Sequence, residues 1–338
     1  MYNEDLISIR ANNLFLSSKS NNYTELSRDL CGLQAQFFNN VLYSILIRCN
    51  NSHENWDNHL IKTWTLRGTL HAIPFEDLPL YLALYPDRSY FNRYNFNSEF
   101  MHNTTEKILI HIKNGNTSRT ELKEIFKNEP EYKDHLDMLF SGWGGILKCL
   151  AEKGDIVFNK VSDSKFRAIS IDEALPQRQE ALLELLKRYF KSYGPATVND
   201  ASYFFGLTMK ELNEIIEKID GLSFAMLNNK KHYYFEKASI PQKIEEPIFL
   251  TGFDPILLGY KDKSFIIDEE DIRKIITLTG IIKPAILFKG KIIATWGIKN
   301  SAMIIYPFKS LSKKLKNKIA KAGMIHFKNV IKKIEFSL

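Results

Sequence analysis

The chain has 338 residues, 44% of them hydrophobic and 25% charged, with a formal charge of +7. That balance fits a globular protein of two or three domains and excludes disordered and fibrous classes. The charge is uneven: the stretch 309–334 holds nine lysines and no acid, so the remainder carries a slight acidic excess.

A basic end of this kind suits phosphates or an anionic membrane, or is a solvated lysine face. The first ten residues include acids and no apolar core, so no secretory signal is expected. No apolar run approaches the ~18 residues of a membrane span. Cys31, Cys49 and Cys149 lack CxxC spacing, which argues against a disulfide framework or a cysteine zinc site and for a reducing, cytoplasmic setting. GxGxxG, GxxxxGK(S/T), HExxH and GxSxG strings do not occur, so dehydrogenases, P-loop enzymes, zinc proteases and serine hydrolases fit poorly.

In chain order, apolar spacing predicts helices over 4–17, 24–31 and 36–49, a short helix near 54–62, and a strand, TWTLRGTLHAI, ending at Pro74. A second group follows: a helix over 104–113, the capping box Ser118-Arg119-Thr120-Glu121 before a helix over 119–127, a longer helix over 134–152, and strands at 155–161 and 165–171 with Asp163 and Ser164 at their turn. Gly142-Trp143-Gly144-Gly145 reads as close helix packing rather than a phosphate loop.

The clearest group spans 178–237. Leu182, Leu183, Leu185, Leu186, Tyr189, Phe190 and Tyr193 recur at helical spacing until Gly194-Pro195. A short helix over 198–205 and a third over 209–219, opened by a Thr208–Glu211 capping box, lead to strands at 222–227 and 231–237 joined by Asn228-Asn229. Three helices and a hairpin make a winged helix-turn-helix; the middle group repeats that order, and the first 75 residues fit it more loosely. Beyond 248, a helix near 268–277 precedes an antiparallel meander with Lys289-Gly290 at one turn, then a lysine-rich helix near 310–322 and a last strand.

Winged helices often hold DNA, yet many serve only as protein contacts. The helix over 209–219 reads bases poorly, because Glu211, Glu214 and Glu217 repel phosphates. Its wing is better suited, with Lys230, Lys231 and His232 beside Tyr233 and Tyr234.

Five strings, CGLQAQ (31–36), WTLRGTLHAI (64–73), RYFKSYGPATVNDA (188–201), LTGFDPILLGYKDK (250–263) and KPAILFKGKIIATW (283–296), together resemble the AlkZ/YcaQ-like winged-helix DNA glycosylases, the helix-turn-helix 42 family. The resemblance implies an α+β, mainly α fold: three tandem winged helix-turn-helix modules (1–100, 101–175 and 176–240) in a C-shaped array, with a small antiparallel β region over 241–338. It implies a monofunctional, metal-independent glycosylase without cofactor, acting as a monomer on duplex DNA that carries alkylated bases or crosslinks, and no membrane partner. The family's catalytic Gln–apolar–Gln triplet falls on Gln34-Ala35-Gln36, the double-glutamine type.

Two amides suit cationic N7-alkylpurines. Such a base leaves neutral without a general acid, so the protein need only place a water and face the developing oxocarbenium with dipoles. Residues i and i+2 share a side in extended chain but diverge on a helix. Gly32 therefore suggests that Gln34 and Gln36 lie in a turn ahead of the helix at 37–49. Without the resemblance, both read as solvated residues at a helix start.

Arg67 and His71 alternate on the 64–73 strand and read equally as DNA contacts or as a surface strand with a satisfied histidine. Asp254 before Pro255 reads first as a cap or turn residue, and by resemblance as a residue orienting water. Trp64 and Trp296 read as core. Lys263 stands where the family pattern has arginine, which weakens a planar phosphate contact. Lys313, Lys314 and Lys316 form a candidate phosphate-gripping flank. The competing readings are a non-catalytic DNA-binding or regulatory protein and a protein-interaction scaffold.

Overall fold

Helix α1 (Asn3–Asn13) opens the chain and is shorter than the expected 4–17, because Phe15 adopts φ +59° and turns the backbone. These elements belong to a computed structural model that describes residues 3–50, 56–86, 97–115, 117–236 and 243–337. The chain divides into two units, Met1–Glu54 with Leu185–Leu338, and Asn55–Glu184.

In the first unit, α2 (Tyr23–Asp29) starts where the Asn22 side chain accepts the Thr24 and Glu25 N–H groups. Cys31 and Gly32, at φ +55° and +96°, then turn the chain into a two-residue strand, β1 (Leu33–Gln34). Helix α3 (Phe38–Arg48) follows, burying Val41, Ser44, Ile45 and Arg48 along one stripe and Tyr43 and Ile47 beside it.

The second unit holds β2 (Ile61–Trp64) and β3 (Leu70–Ile73), antiparallel, with Ile61 opposite Ile73 and Trp64 opposite Leu70. This corrects the single strand expected over 64–73. Arg67 and Gly68, at φ +53° and +66°, form a turn that folds the segment on itself. The helix expected near 54–62 is a single 3₁₀ turn, Trp56–Asn58, and residues 51–55 lie outside the described part.

Helices α4 (Leu78–Leu84), α5 (Ser98–Lys113) and α6 (Arg119–Lys127) follow, the last under the expected Ser118/Glu121 capping box. The long helix expected over 134–152 is instead α7 (Leu136–Leu139) and α8 (Gly145–Lys153). It breaks because Gly144 and Gly145 take φ +134° and +55°, and a Cβ on Gly145 would lie 2.0 Å from the Leu139 carbonyl oxygen. A hairpin of β4 (Ile156–Phe158) and β5 (Phe166–Ala168) turns at Asp163, whose carboxylate accepts the Lys165 N–H. Trp64 packs on Phe158 and Phe166 in this unit's core, as expected.

Helix α9 (Arg178–Tyr193) matches its expected range and buries Leu182, Leu185, Leu186, Tyr189, Phe190 and Tyr193. Helix α10 (Val198–Phe205) has a Thr197/Asp200 capping box that its sequence range had not flagged, and ends at left-handed Gly206. In α11 (Met209–Ile216) the Thr208 hydroxyl accepts the Glu211 N–H. Strands β6 (Leu222–Leu227) and β7 (Lys230–Phe235) pair around Asn228-Asn229, both at positive φ, as the hairpin expectation requires.

The remainder is β8 (Ile248–Leu250), α12 (Pro255–Leu258), α13 (Ile272–Ile275), β9 (Ala285–Phe288), β10 (Lys291–Lys299), β11 (Ala302–Pro307), α14 (Lys313–Phe327) and β12 (Lys333–Phe336). Their sheet runs β12-β11-β10-β9-β8. It is antiparallel except at one edge, where β12 pairs with β11 in parallel. The expectation of a wholly antiparallel region fails there, because α14 carries the chain back across the sheet before β12 enters. No helix among the described residues is long and apolar enough to cross a membrane.

Candidate active site

Leu33 and Ala35 are buried, Gln34 is half-buried and Gln36 is exposed. That alternation is the period of extended chain, so the two amides flank a buried alanine rather than winding apart on a helix. The positive φ at Cys31 and Gly32 sets this direction, and Phe37 is the N-cap residue of α3 without supplying a side-chain cap. The Asn40 amide, one helical turn beyond Gln36, donates a long hydrogen bond of 3.5 Å to the Gln34 carbonyl.

A second loop supports this corner. A Cβ on Gly252 would fall 2.8 Å from Asn40 Oδ1 and 3.3 Å from the Ile282 carbonyl oxygen, so the loop's backbone sits against Asn40. Phe253, at φ +54°, donates its N–H to that same carbonyl and stacks on Phe37 with ring centroids 6.1 Å apart.

Asp254 is fully buried and caps α12. Its Oδ2 accepts the Thr251 N–H, and its Oδ1 accepts the Ile256 N–H and Arg48 Nη2 at 2.7 Å. Arg48, the last residue of α3 and equally buried, also donates to the Leu14 carbonyl and to Ser44 Oγ. Asp254 thus clamps the loop to α3 through Arg48, and both of its oxygens are engaged.

Other family-like strings meet around α3. The Tyr193 hydroxyl donates to the Leu30 carbonyl, Tyr260 to Tyr193, and Tyr189 to Gly259. Trp296 Nε1 is shared by the Leu250 and Ala285 carbonyls, and the Trp296 ring packs on Tyr43 of α3 as core. At the far end of α3, burial pushes the Cys49 thiol up to about 11 and the Lys19 ammonium down to about 8. Burial first, and the Lys19 charge second, bring His326 down to about 4.

The candidate DNA contacts divide by exposure. Lys230 and Lys231 stand exposed on the β6–β7 hairpin, and Lys313 and Lys314 on the first turn of α14. Lys316 is half-buried over the Phe336 ring. Lys263 is half-buried too, donating to the Tyr260 carbonyl at 2.9 Å with its ammonium over Tyr203.

Arg67 and His71 do not share a strand face: Arg67 occupies the turn. His71 is buried on β3, with Nδ1 2.8 Å from Thr65 Oγ1, and offers a duplex no surface. Among the described residues, no three His, Cys, Asp or Glu side chains converge as metal ligands.

Asn40, Arg48, Phe37 and Phe253 were not singled out in the sequence. Arg48 carried the clearest signal, a lone charge closing the apolar run VLYSILI, which must find a partner if buried.

The family model described as DNA glycosylase AlkZ-like matches residues 28–324. An interstrand DNA cross-link repair glycosylase of Streptomyces sahachiroi is 24% identical over 309 residues, covering 82% of this chain and 83% of the relative. The solved structure of Streptomyces sahachiroi DNA glycosylase AlkZ superposes with a TM-score of 0.79 over 99% of both chains, at 22% identity. The chain belongs to the AlkZ-like DNA glycosylase family.

Proposed function

We propose that this protein is a monofunctional, metal-independent DNA glycosylase that hydrolyses the N-glycosidic bond of cationic N7-alkylated purines in duplex DNA, including those tied into interstrand crosslinks. The observation that carries this reading is the pair of amides ahead of α3, Gln34 half-buried in β1 and Gln36 exposed at the bend that follows. Their family membership and the crosslink-repair name of the Streptomyces relative support the substrate class.

The chemistry needs no charged side chain. As the C1′–N9 bond breaks, its electron pair neutralises the cationic base, and the sugar becomes oxocarbenium-like. The Gln34 and Gln36 carbonyls hold a water against C1′, that water's oxygen forms the new bond, and its proton passes to solvent. Asn40 orients Gln34, and Asp254 acts through Arg48 rather than on the water. Neutral bases such as uracil are poor substrates, because neither glutamine protonates a leaving base.

Lys230, Lys231, Lys313 and Lys314 grip phosphates, with Lys316, Lys263 and Arg67 as lesser contributors. The proposed organisation is three winged-helix modules working as a monomer in the cytoplasm.

Release of N7-methylguanine from methylated duplex DNA, in the presence of a chelator, tests the reading. Loss of at least ~10²-fold in Gln34→Ala/Gln36→Ala with the fold intact is expected. A protein that binds DNA yet releases neither N7-alkylpurine nor crosslinked base is instead a non-catalytic binder.

A further inference from the structure

Two exposed aromatics follow Gln36 directly, and a third aromatic reaches them from the loop after β8. Phe37 is 50% exposed and Phe38 is 37% exposed, side by side at the start of α3. Large aromatic side chains contribute most when buried, so one that is half exposed, as Phe37 is, suits a surface that something covers. Phe253 is held at φ +54°, a region non-glycine residues rarely occupy and which costs on the order of 1 kcal/mol or more. The hydrogen bond to Ile282 and the buried Arg48–Asp254 pair keep it there. The outcome of that conformation is the stacked contact of Phe253 on Phe37, at 6.1 Å and 26° between ring planes.

We propose that Phe37 and Phe253 form an aromatic step that stacks on the base exposed when the nucleotide under attack leaves its place in the duplex. The occupant follows from shared exposure: Gln36 and Phe37 are neighbours and both open to solvent at the start of α3, so a ligand large enough to meet the amides also meets the Phe37 ring. A duplex opened at a lesion presents bare base faces, and apolar wedges of Phe type are a known physical solution to filling such a gap. Phe253 backs the Phe37 ring, half of which stays exposed. The step rests on the glycosylase reading for its ligand and goes beyond it in assigning a role to two residues outside the amide pair.

The test uses the full chain and a duplex with N7-methylguanine on a 2′-fluoro sugar, which slows bond cleavage, beside 2-aminopurine as a stacking reporter. Wild-type binding is expected to raise the reporter's fluorescence. Phe37→Ala should lose most of that rise and cut single-turnover release on the natural sugar at least ten-fold, with affinity for undamaged duplex changed less than two-fold. Phe37→Trp should restore both, and Phe253→Ala should fall between. An unchanged reporter signal and rate in Phe37→Ala, with its unfolding midpoint at the wild-type value, overturns the proposal while leaving the glycosylase reading in place. A wild-type protein that releases no base fails the glycosylase reading alone, since the reporter still decides the aromatic step.

Discussion

Arg48 Nη2 lies 2.7 Å from Asp254 Oδ1, and neither side chain reaches solvent. Breaking a fully buried pair strands the remaining charge, which costs about 3–5 kcal/mol. Asp254→Asn keeps an oxygen for the cap but removes the charge, so a loss of that size in chemical denaturation is expected. Arg48→Met/Asp254→Asn should recover part of it. If Asp254→Asn instead retains full stability and loses only activity, Asp254 touches the reaction directly.

Gly252 offers a finer probe of the amide corner. Gly252→Ala places a methyl 2.8 Å from Asn40 Oδ1, so Asn40, and with it Gln34, must shift. Base release should slow by roughly ten-fold while stability changes by about 1 kcal/mol or less. Gly259→Ala is the contrasting case. Its Cβ would meet the buried Tyr193 ring at 2.2 Å, so overpacking of about 1–3 kcal/mol should appear in the unfolding midpoint first.

His326 sets an acid limit. Its native value near 4 lies below its usual 6.5, so the unfolded chain takes up a proton more readily than the native one. The stability it contributes is complete above about 6.5 and disappears as pH falls toward 4, on the order of 2–3 kcal/mol. His326→Gln should flatten the stability profile between pH 6.5 and 4 and leave it unchanged at pH 8. A parallel profile for the two proteins would falsify this assignment.

Electrostatic grip should be visible as salt dependence. Lys313→Glu/Lys314→Glu is expected to weaken binding to any duplex and reduce the slope of log affinity against log salt by about one per lost phosphate contact. Damaged and undamaged DNA should lose affinity alike. Fluorescence anisotropy from 50 to 200 mM salt measures both, and a slope equal to wild type removes these lysines from the interface.

Local signals in the sequence were read well where a single element explains them. The helix over 178–193, the Ser118 cap and the Asn228-Asn229 turn each depend on residues within a few positions of one another. Failures came where one segment hides two states. TWTLRGTLHAI alternates like a strand throughout, yet Gly68 lets it fold back on itself. Residues 134–152 carry helical spacing, yet two consecutive glycines at positive φ interrupt it. The proposal of Gln34 and Gln36 rests on their family context, since two glutamines in a polar turn have no chemistry of their own. Arg48–Asp254, 206 positions apart, and Phe37–Phe253 are partnerships that no local pattern can pair.

Three of the five family-like strings contribute Tyr189, Tyr193, Asp254, Tyr260 and Trp296, which tie together the elements packed with α3, and another one contains the amides. Most of what makes this chain recognisable is therefore a mould, and the proposed reactive part is a small casting within it. A descendant that exchanged both glutamines for other residues would keep its silhouette in any comparison and yet be chemically silent. On the proposed chemistry, sorting working members from inert ones comes down to two letters, 34 and 36, rather than to the length of the match.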